Sequence, residues 1–159
     1  MDSHPYVEIV GRYFDGANAG DAELMRSCFC DDIAAYTIAI PARFGSEAAS
    51  AFLVGLHETG ARFTVDHAMV QEPEAVVEWS MIWTPPGASE PALSRGVDWF
   101  VFESGKIKEI REYCDPRWNP EPASLHQLEE FPYSSRGYPE FDDLDERLPH
   151  RVRRAKLTS

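Results

Sequence analysis

The chain has 159 residues, of which 43% are apolar, and this is enough to bury the core of one compact domain. Its 27 acidic residues outnumber 15 basic ones, and the formal net charge of -12 repels phosphate backbones and anionic lipids. This composition excludes wholesale disorder, and we expect neither a nucleic acid nor a membrane as a partner.

The N-terminus and the cysteines indicate a cytoplasmic protein without a bound metal. Residues 1–5 lack a basic stretch followed by an apolar core, and the longest uncharged apolar-rich run, over residues 33–42, is too short to cross a bilayer. The cysteines number 3 and show no metal-ligand spacing, so we expect reduced, partly buried thiols.

Three helices are predicted in the first part of the chain. Pro5 suits the first turn of a helix that ends at Gly20. The apolar residues of this helix recur at helical spacing, and they are Ile9, Val10, Tyr13, Phe14 and Ala17. Asp21 can cap a second, short helix. After a short strand around residues 33–40, helical spacing of apolar residues predicts a third helix over residues 46–57.

From residue 62 onwards the apolar pattern changes to alternation, which is typical of strands. Three long strands are predicted over residues 62–69, 75–83 and 93–103, and a tight turn then leads into a fourth over residues 106–114. Helices first and an antiparallel meander afterwards predict an α+β fold. In this fold three N-terminal helices pack on a curved, mainly antiparallel sheet that wraps a cavity.

The character of the sequence changes after Asp115, so we predict a domain over residues 1–115 and a Pro-rich, charged C-terminal extension over residues 116–159. Frequent prolines allow little regular structure there, apart from a helical turn near residues 124–130. An acidic run followed by a basic end is typical of a solvated tail. Aromatic residues nevertheless indicate that the first half of the extension packs on its own domain or on a partner subunit.

Three segments of the domain carry a family pattern. They are Arg12-Tyr13 with Asn18-Ala19-Gly20-Asp21, then Phe29 with Asp31-Asp32, and finally Gly96-Val97-Asp98-Trp99-Phe100-Val101-Phe102 leading to Gly105-Lys106-Ile107. Together they resemble the nuclear transport factor 2-like superfamily, and within it the SnoaL-like polyketide cyclases and the ketosteroid isomerases. The resemblance covers residues 6–115 and implies a cone-shaped α+β barrel with a deep apolar pocket, often in a homodimer packed through the outer face of the sheet. It implies no single activity, because this fold hosts isomerases, cyclases, dehydratases, epoxide hydrolases and non-enzymatic carriers.

Two residues match the oxyanion donors of ketosteroid isomerases. Tyr13 lies within the apolar stripe of the first helix, so its ring is expected to point inward. Asp98 shares a strand face with Gly96, Phe100 and Phe102, and an apolar site raises the pKa of a carboxyl group. The resemblance implies that Tyr13 and protonated Asp98 donate to a substrate oxyanion. The alternatives are a core tyrosine satisfied by a backbone carbonyl and an aspartate paired with a basic residue.

The carboxylate base of ketosteroid isomerases falls on Thr37, and threonine cannot move a proton near neutral pH, which argues against steroid isomerisation. Another base is therefore needed. His67 alternates onto the apolar face of its strand with Phe63, Val65 and Met69, where an imidazole can titrate near neutral pH. Scytalone dehydratase and related lyases are similar in using a histidine on the corresponding strand. The alternative is a histidine satisfied inside the core.

Glu112 is the second candidate base. The spacing of Ile110, Glu112 and Cys114 places the glutamate on one strand face, and the resemblance implies that this face lines the pocket. A glutamate among aromatic residues has a raised pKa and can act as a general acid or base. The acid of limonene epoxide hydrolases is similar in position, but their Arg-x-Asp pair is absent from the preceding long strand, which disfavours hydrolase chemistry.

The remaining candidates concern binding. The residues expected to contact the substrate are Trp79, Met81, Phe63, Phe100, Phe102, Thr37 and Ile110. Arg95 alternates onto the face opposite Asp98, and a surface or interface role is expected there unless a bulge at Gly96 turns it inward.

These residues together predict an enzyme that works by acid-base catalysis without a metal or an organic cofactor. Its substrate is expected to be small, hydrophobic and carbonyl-bearing, such as a polyketide, a terpenoid or a steroid-like compound. Isomerisation, cyclisation and dehydration all remain open as the outcome. The alternative is a non-catalytic protein of the same fold, either a ligand carrier or a dimeric scaffold. In both cases we expect a homodimer.

Overall fold

The computed structural model of the chain describes residues 4–38, 40–114, 128 and 130–138. The helices are α1 (Pro5–Ala19), α2 (Ala22–Cys28) and α3 (Ser46–Glu58). The strands are β1 (Phe29–Thr37), β2 (Ile40–Phe44), β3 (Arg62–Gln71), β4 (Glu74–Trp83), β5 (Ala92–Glu103) and β6 (Lys106–Cys114). The three helices pack on one sheet of 6 strands in the order β2-β1-β6-β5-β4-β3, which confirms the predicted α+β class.

The first two helices begin and end at residues that favour helix termini. Pro5 occupies the first turn of α1, and Gly20 ends that helix with a φ of 67° in the left-handed region. The Asp21 carboxylate accepts a hydrogen bond of 2.9 Å from the backbone N–H of Leu24 and so caps α2. The apolar stripe predicted for α1 is buried, and this turns Tyr13 towards the core.

The sheet is mixed and open. β1 runs parallel to β6, whereas all other neighbouring strands are antiparallel. β2 and β3 are the two edges and do not pair with each other, so the expected cone is not a closed barrel. The single strand expected around residues 33–40 is in fact two strands, because β1 begins at Phe29 and ends at Thr37, and β2 then turns back against it. The first half of β1 was not predicted because the exposed acidic pair Asp31-Asp32 interrupts the apolar alternation there.

Part of the C-terminal extension packs on the face of the sheet that the helices leave open. We call residues 128 and 130–138 the strap. Leu128 forms an isolated bridge with Ile38, and the ring of Phe131 lies edge-on to Tyr36 at 5.2 Å. This agrees with the first of the two predicted alternatives, in which the extension packs on its own domain. The helical turn expected near residues 124–130 lies outside the described residues except at positions 128 and 130.

An ion-pair network fixes the strap to β6. The Arg136 Nη2 atom lies 2.5 Å from Glu109 Oε2, and Glu109 Oε1 lies 3.2 Å from Arg111 Nε. Arg111 is 5% exposed, and its guanidinium lies 4.6 Å above the ring of Trp99. Buried charges of this kind require compensating partners, and here the strap provides one of them.

The side chain of Asn18 joins the end of α1 to the edge strand β3. Its Nδ2 donates to the Phe63 carbonyl at 2.9 Å, and its Oδ1 accepts from the Phe63 backbone N–H at 2.6 Å. An edge strand carries backbone groups without a ladder partner, and this amide satisfies both groups of one such residue. The contact therefore holds the helix that carries Tyr13 against the sheet.

The substitution Asn18→Ala is expected to lower the free energy of unfolding by about 1–3 kcal/mol, because it removes the hydrogen-bond partners of both the backbone N–H and the carbonyl group of Phe63. Urea denaturation measures this change. Asp15→Ala, on the exposed side of the same helix, is the control and should alter stability by less than about 0.5 kcal/mol. Equal stabilities of the two variants would contradict the prediction.

Candidate active site

Three adjacent strands bring two carboxyl groups and one hydroxyl group into a single row. Asp98 on β5 lies directly opposite Glu112 on β6, and Glu112 lies opposite Thr37 on β1. Directly opposed residues of antiparallel strands have Cβ atoms about 4.5–5.5 Å apart. Asp98 is 2% exposed and Thr37 1%, whereas Glu112 is half-buried. The two carboxyl groups therefore share one space on the helix-covered face of the sheet.

The indole of Trp79 holds Asp98 in place. Its Nε1 donates to Asp98 Oδ1 at 2.8 Å in a buried hydrogen bond. Trp79 lies opposite Gly96 in the ladder between β4 and β5, and a Cβ atom on Gly96 would lie 2.3 Å from the indole ring. Glycine at this position lets the ring lie close enough to β5 to reach the carboxyl group two residues along. Trp79 thus positions Asp98.

The surroundings of Asp98 favour its protonated form. Burial raises the pKa of Asp98 well above its ordinary value, and the negative charge of Glu112 raises this pKa further. The hydrogen bond from Trp79 and the charge of Arg43 have smaller, opposite effects. Because Oδ1 accepts the indole N–H, Oδ2 is the oxygen left to carry a proton that could be donated. The partner of Asp98 is a neutral indole rather than the basic residue of the alternative interpretation.

Glu112 has neighbours that favour its carboxylate form. Burial raises the pKa of Glu112, but the Arg43 charge and hydrogen bonds from Thr37 and Cys114 favour the carboxylate. The Thr37 hydroxyl donates to Glu112 Oε2 at 3.2 Å. Since Glu112 is also the more accessible of the two carboxyl groups, it is the one suited to exchange protons with a bound molecule.

Tyr13 approaches the carboxyl pair from α1. Its ring lies 4.8 Å from Phe14 and 5.5 Å from Phe100, and the residue is 3% exposed. Burial and the negative charges of Asp98 and Glu112 raise the pKa of Tyr13 well above its ordinary value, so the phenol stays protonated. Within the described part of the chain no backbone carbonyl accepts its proton, which disfavours the interpretation as a satisfied core tyrosine.

Arg43 completes the site, although the sequence analysis did not predict it. It lies opposite Ala35 in the ladder between β1 and β2, on the inner face of the sheet. Its Nη2 donates to the Thr37 hydroxyl at 2.6 Å, and its guanidinium lies 4.2 Å above the ring of Phe52 on α3. The available sequence signal was that Arg43 is the only charged residue between positions 33 and 45.

The prediction that His67 faces the site is wrong. Val65 pairs with Trp79, but the next pair along the ladder is His67 with Glu78, so Asp66 is the extra residue of a bulge. The bulge turns His67 to the outer face, where its side chain is 80% exposed and its Nδ1 lies 3.0 Å from Glu78 Oε2. The alternative of a histidine buried in the core is wrong for the same reason.

Three of the residues expected to contact a substrate border this cluster. Trp79 and Thr37 form hydrogen bonds within it, and Phe100 contacts the ring of Tyr13. Arg95 is exposed and pairs with Ser80 in an unbroken part of the ladder, so no bulge turns it inward. That Trp79, Thr37 and Phe100 contact a substrate directly stays a prediction.

The other four expected contact residues lie in the main core. Phe63 packs edge-on against Trp79 at 5.3 Å, and Phe102 stacks on Tyr6 at 3.9 Å. Met81 and Ile110 are 6% and 4% exposed within the same apolar cluster. They support the residues that form the site, and any contact with a substrate is again a prediction.

Metal ligands do not cluster in the part of the chain that the structure describes. No three residues of the His, Cys, Asp or Glu type come together there in a way that could hold an ion. Among the same residues, no helix is both long and apolar enough to cross a membrane.

Solved structures share this architecture, which is that of the cystatin-like and nuclear transport factor 2-like folds. A protein of unknown function with a cystatin-like fold from Methylobium petroleophilum PM1 has a TM-score of 0.72 and 24% identity, covering 88% of this chain and 94% of its own. A protein described as a candidate SnoaL-like polyketide cyclase from Jannaschia Sp. CCS1 has a TM-score of 0.64 and 21% identity, covering 77% and 99%. TerC, co-crystallised with polyporic acid, has a TM-score of 0.63 and 17% identity, covering 70% and 92%.

The sequence assigns the family within this fold class. The SnoaL-like domain matches residues 10–110, and the chain belongs to that family. No functionally curated protein matches the sequence. The family and the fold predicted from the sequence are therefore confirmed, while the reaction has to be argued from the site.

Replacing Trp79 by Phe is expected to raise the pKa of Asp98 further, because the indole N–H favours the ionised carboxylate. The free energy of unfolding should fall by about 1–3 kcal/mol through loss of a donor to a buried carboxyl group. Carbon-detected NMR titration of the Asp98 carboxyl group and urea denaturation measure the two effects.

Trp83→Phe is the matched control, because the Trp83 indole donates at 3.0 Å to the hydroxyl of Ser94 rather than to a carboxyl group. This variant should lose stability without moving the Asp98 titration. An unchanged Asp98 titration in the Trp79 variant would show that the hydrogen bond does not control the carboxyl group.

The carboxyl pair makes stability depend on pH. Since the folded-state pKa values of Asp98 and Glu112 are raised, the folded protein binds protons more tightly than the unfolded chain. This stabilisation is fully present below about pH 4, the unfolded-state range, and is lost as pH rises through the folded-state values.

Wild-type protein is therefore expected to lose free energy of unfolding relative to Asp98→Asn as pH rises from about 4 to about 8, with a slope of up to about 1.4 kcal/mol per pH unit. Asparagine keeps an acceptor for the Trp79 indole but cannot ionise. Urea denaturation at a series of pH values measures the difference, and parallel curves for the two proteins would refute the expectation.

Proposed function

We propose that this protein is an enzyme that moves a proton next to a carbonyl group of a small apolar molecule. The observation that carries the proposal is the opposed pair of Asp98 and Glu112, in which burial raises the pKa of both carboxyl groups while Arg43, Thr37 and Cys114 oppose this shift at Glu112. Two neighbouring titratable groups with shifted pKa values in one buried place are typical of acid-base sites.

The roles of the residues follow from their protonation states. Glu112 takes the proton from the carbon beside the carbonyl group, and the electron pair of that C–H bond moves towards the carbonyl oxygen. Tyr13 and Asp98 Oδ2 donate hydrogen bonds to the resulting enolate oxygen. One well-placed donor of this kind lowers the barrier by about 2.7–4 kcal/mol.

The same intermediate leads to three outcomes. Return of the proton from Glu112 to another carbon gives isomerisation. Attack of the enolate carbon on a second carbonyl group gives ring closure when the proton on Glu112 passes to the new alkoxide. Departure of a β-hydroxyl group that takes up the proton from Glu112 gives loss of water. Among proteins of this fold, a described candidate polyketide cyclase and a protein co-crystallised with polyporic acid favour a cyclic, oxygenated substrate of the polyketide kind.

The position of the base separates this site from that of a steroid isomerase. Thr37 stands where the resemblance places the isomerase carboxylate, and here its hydroxyl donates to Glu112. The base therefore lies one strand further along the sheet, on β6 rather than on β1. A proton would be taken from another direction relative to Tyr13 and Asp98, which favours a different substrate.

The assembly and location of the protein are part of the proposal. We propose a cytoplasmic homodimer in which the outer face of β3, β4 and β5 meets the second subunit. The strap already covers the outer face of β1 and β6, since Leu128 and Phe131 pack on Tyr36 and Ile38.

The proposed chemistry is tested without knowing the natural substrate by following hydrogen-deuterium exchange of 2-tetralone, a flat ketone with acidic α-hydrogens, in D2O by NMR. Wild-type protein should accelerate the exchange. Glu112→Gln should reduce the enzyme-dependent rate by about 10²–10⁴-fold, the usual contribution of a general base, and Asp98→Asn by about tenfold or more.

His67→Ala is the control, because His67 is exposed on the opposite face of the sheet and should leave the exchange rate unchanged. Absence of enzyme-dependent exchange, or full activity of Glu112→Gln, would exclude the acid-base role. The non-catalytic carrier would then be the better description, and recovery of an unaltered co-purified ligand by mass spectrometry would support it.

A further inference from the structure

We infer that Arg43 binds an acidic group of the substrate, so that the molecule that reacts at the carboxyl pair carries a carboxylate or a comparably acidic enol. This inference deepens the proposed function and rests on it. It adds a specificity-determining residue that neither the sequence pattern nor the family match identifies.

The donors of Arg43 are only partly used. Nη2 donates to the Thr37 hydroxyl at 2.6 Å, and Nη1 donates to the Pro41 carbonyl at 3.2 Å. The Nε–H group is buried and has no acceptor. Among the described residues, no carboxylate lies within 4.0 Å of the guanidinium. A buried donor without a partner is rare in folded proteins, and a ligand with acceptor oxygens would satisfy it.

The orientation of the guanidinium is fixed by its surroundings. It lies 4.2 Å above the ring of Phe52, and its bond to Thr37 restricts rotation in the plane. A guanidinium held in this way presents parallel N–H groups whose geometry matches the two oxygens of a carboxylate. A lysine at this position would present a point charge without that match.

The position of Arg43 orients the substrate. Arg43 and Glu112 are half-buried, whereas Asp98 and Tyr13 are almost completely buried. An acidic group at Arg43 would therefore lie on the more accessible side, with the carbonyl group reaching inward. Within the described residues, Arg43 is the only cation whose charge affects the pKa of all three groups of the site, so an acidic group bound there would share this positive charge with Glu112.

The test compares two probes with the same ring system, 2-naphthoate and the uncharged 2-acetylnaphthalene, by isothermal titration calorimetry. Wild-type protein should bind 2-naphthoate about tenfold tighter or more, as expected for one charge-assisted pair. Arg43→Met should reduce this affinity ratio to about one, and Arg43→Lys should retain part of it. Arg95→Met, which removes an exposed arginine on the opposite face, should keep the wild-type ratio.

A second measurement needs no variant at this position. The ¹⁵N resonance of Arg43 Nε should shift when 2-naphthoate is added to wild-type protein and should stay in place with 2-acetylnaphthalene. Equal affinities for the two probes, a ratio that survives in Arg43→Met, or binding of neither probe would overturn the inference. 2-Tetralone has no acidic group. Its hydrogen-deuterium exchange therefore tests the proposed function separately from the inference about Arg43.

Discussion

The hydrogen bond from the Trp79 indole to the Asp98 carboxyl group is the interaction on which the site depends. It exists because Gly96, directly opposite Trp79, has no side chain to hold the ring away from β5. By occupying Oδ1, the indole leaves Oδ2 as the oxygen that can carry a proton. Burial and the charge of Glu112 outweigh the opposite effect of this hydrogen bond on the pKa of Asp98, and they favour a neutral acid at the centre of the sheet, where two ionised carboxylates would repel each other in a medium of low polarity.

Buried ionisable groups are stabilised differently on the two faces of the sheet. On the helix-covered face, Asp98 and Glu112 have no salt-bridge partner among the described residues, and their raised pKa values reduce the charge. On the outer face, Glu109 and Arg111 remain paired, and Arg136 of the strap adds a further contact. These ion pairs thus lie away from Asp98 and Glu112, the groups for which we propose proton transfer.

The strap also reaches the strand that carries Arg43. The Glu130 carboxylate accepts a hydrogen bond of 3.1 Å from the backbone N–H of Ala42, next to Arg43 on β2. Leu128 bridges Ile38, next to Thr37 on β1. These contacts flank the edge of the sheet from which both polar side chains enter the site. A segment beyond the domain predicted from the sequence therefore contacts the neighbours of Thr37 and Arg43 in the chain and helps to position these two residues.

The sequence determined the local features of this protein: the three helices, their caps, the alternation of the later strands and the family. It also placed Tyr13 and Asp98 on inward faces, because one helical stripe or one strand alternation is enough to decide that, whereas the inward face of Glu112 was implied by the family resemblance. Tertiary structure alone decided the open sheet, the bulge that turns His67 outward, the pairing of Trp79 with Asp98 and the entry of Arg43. These features depend on the register between strands distant in the sequence, and a shift of one residue reverses the face of every side chain that follows.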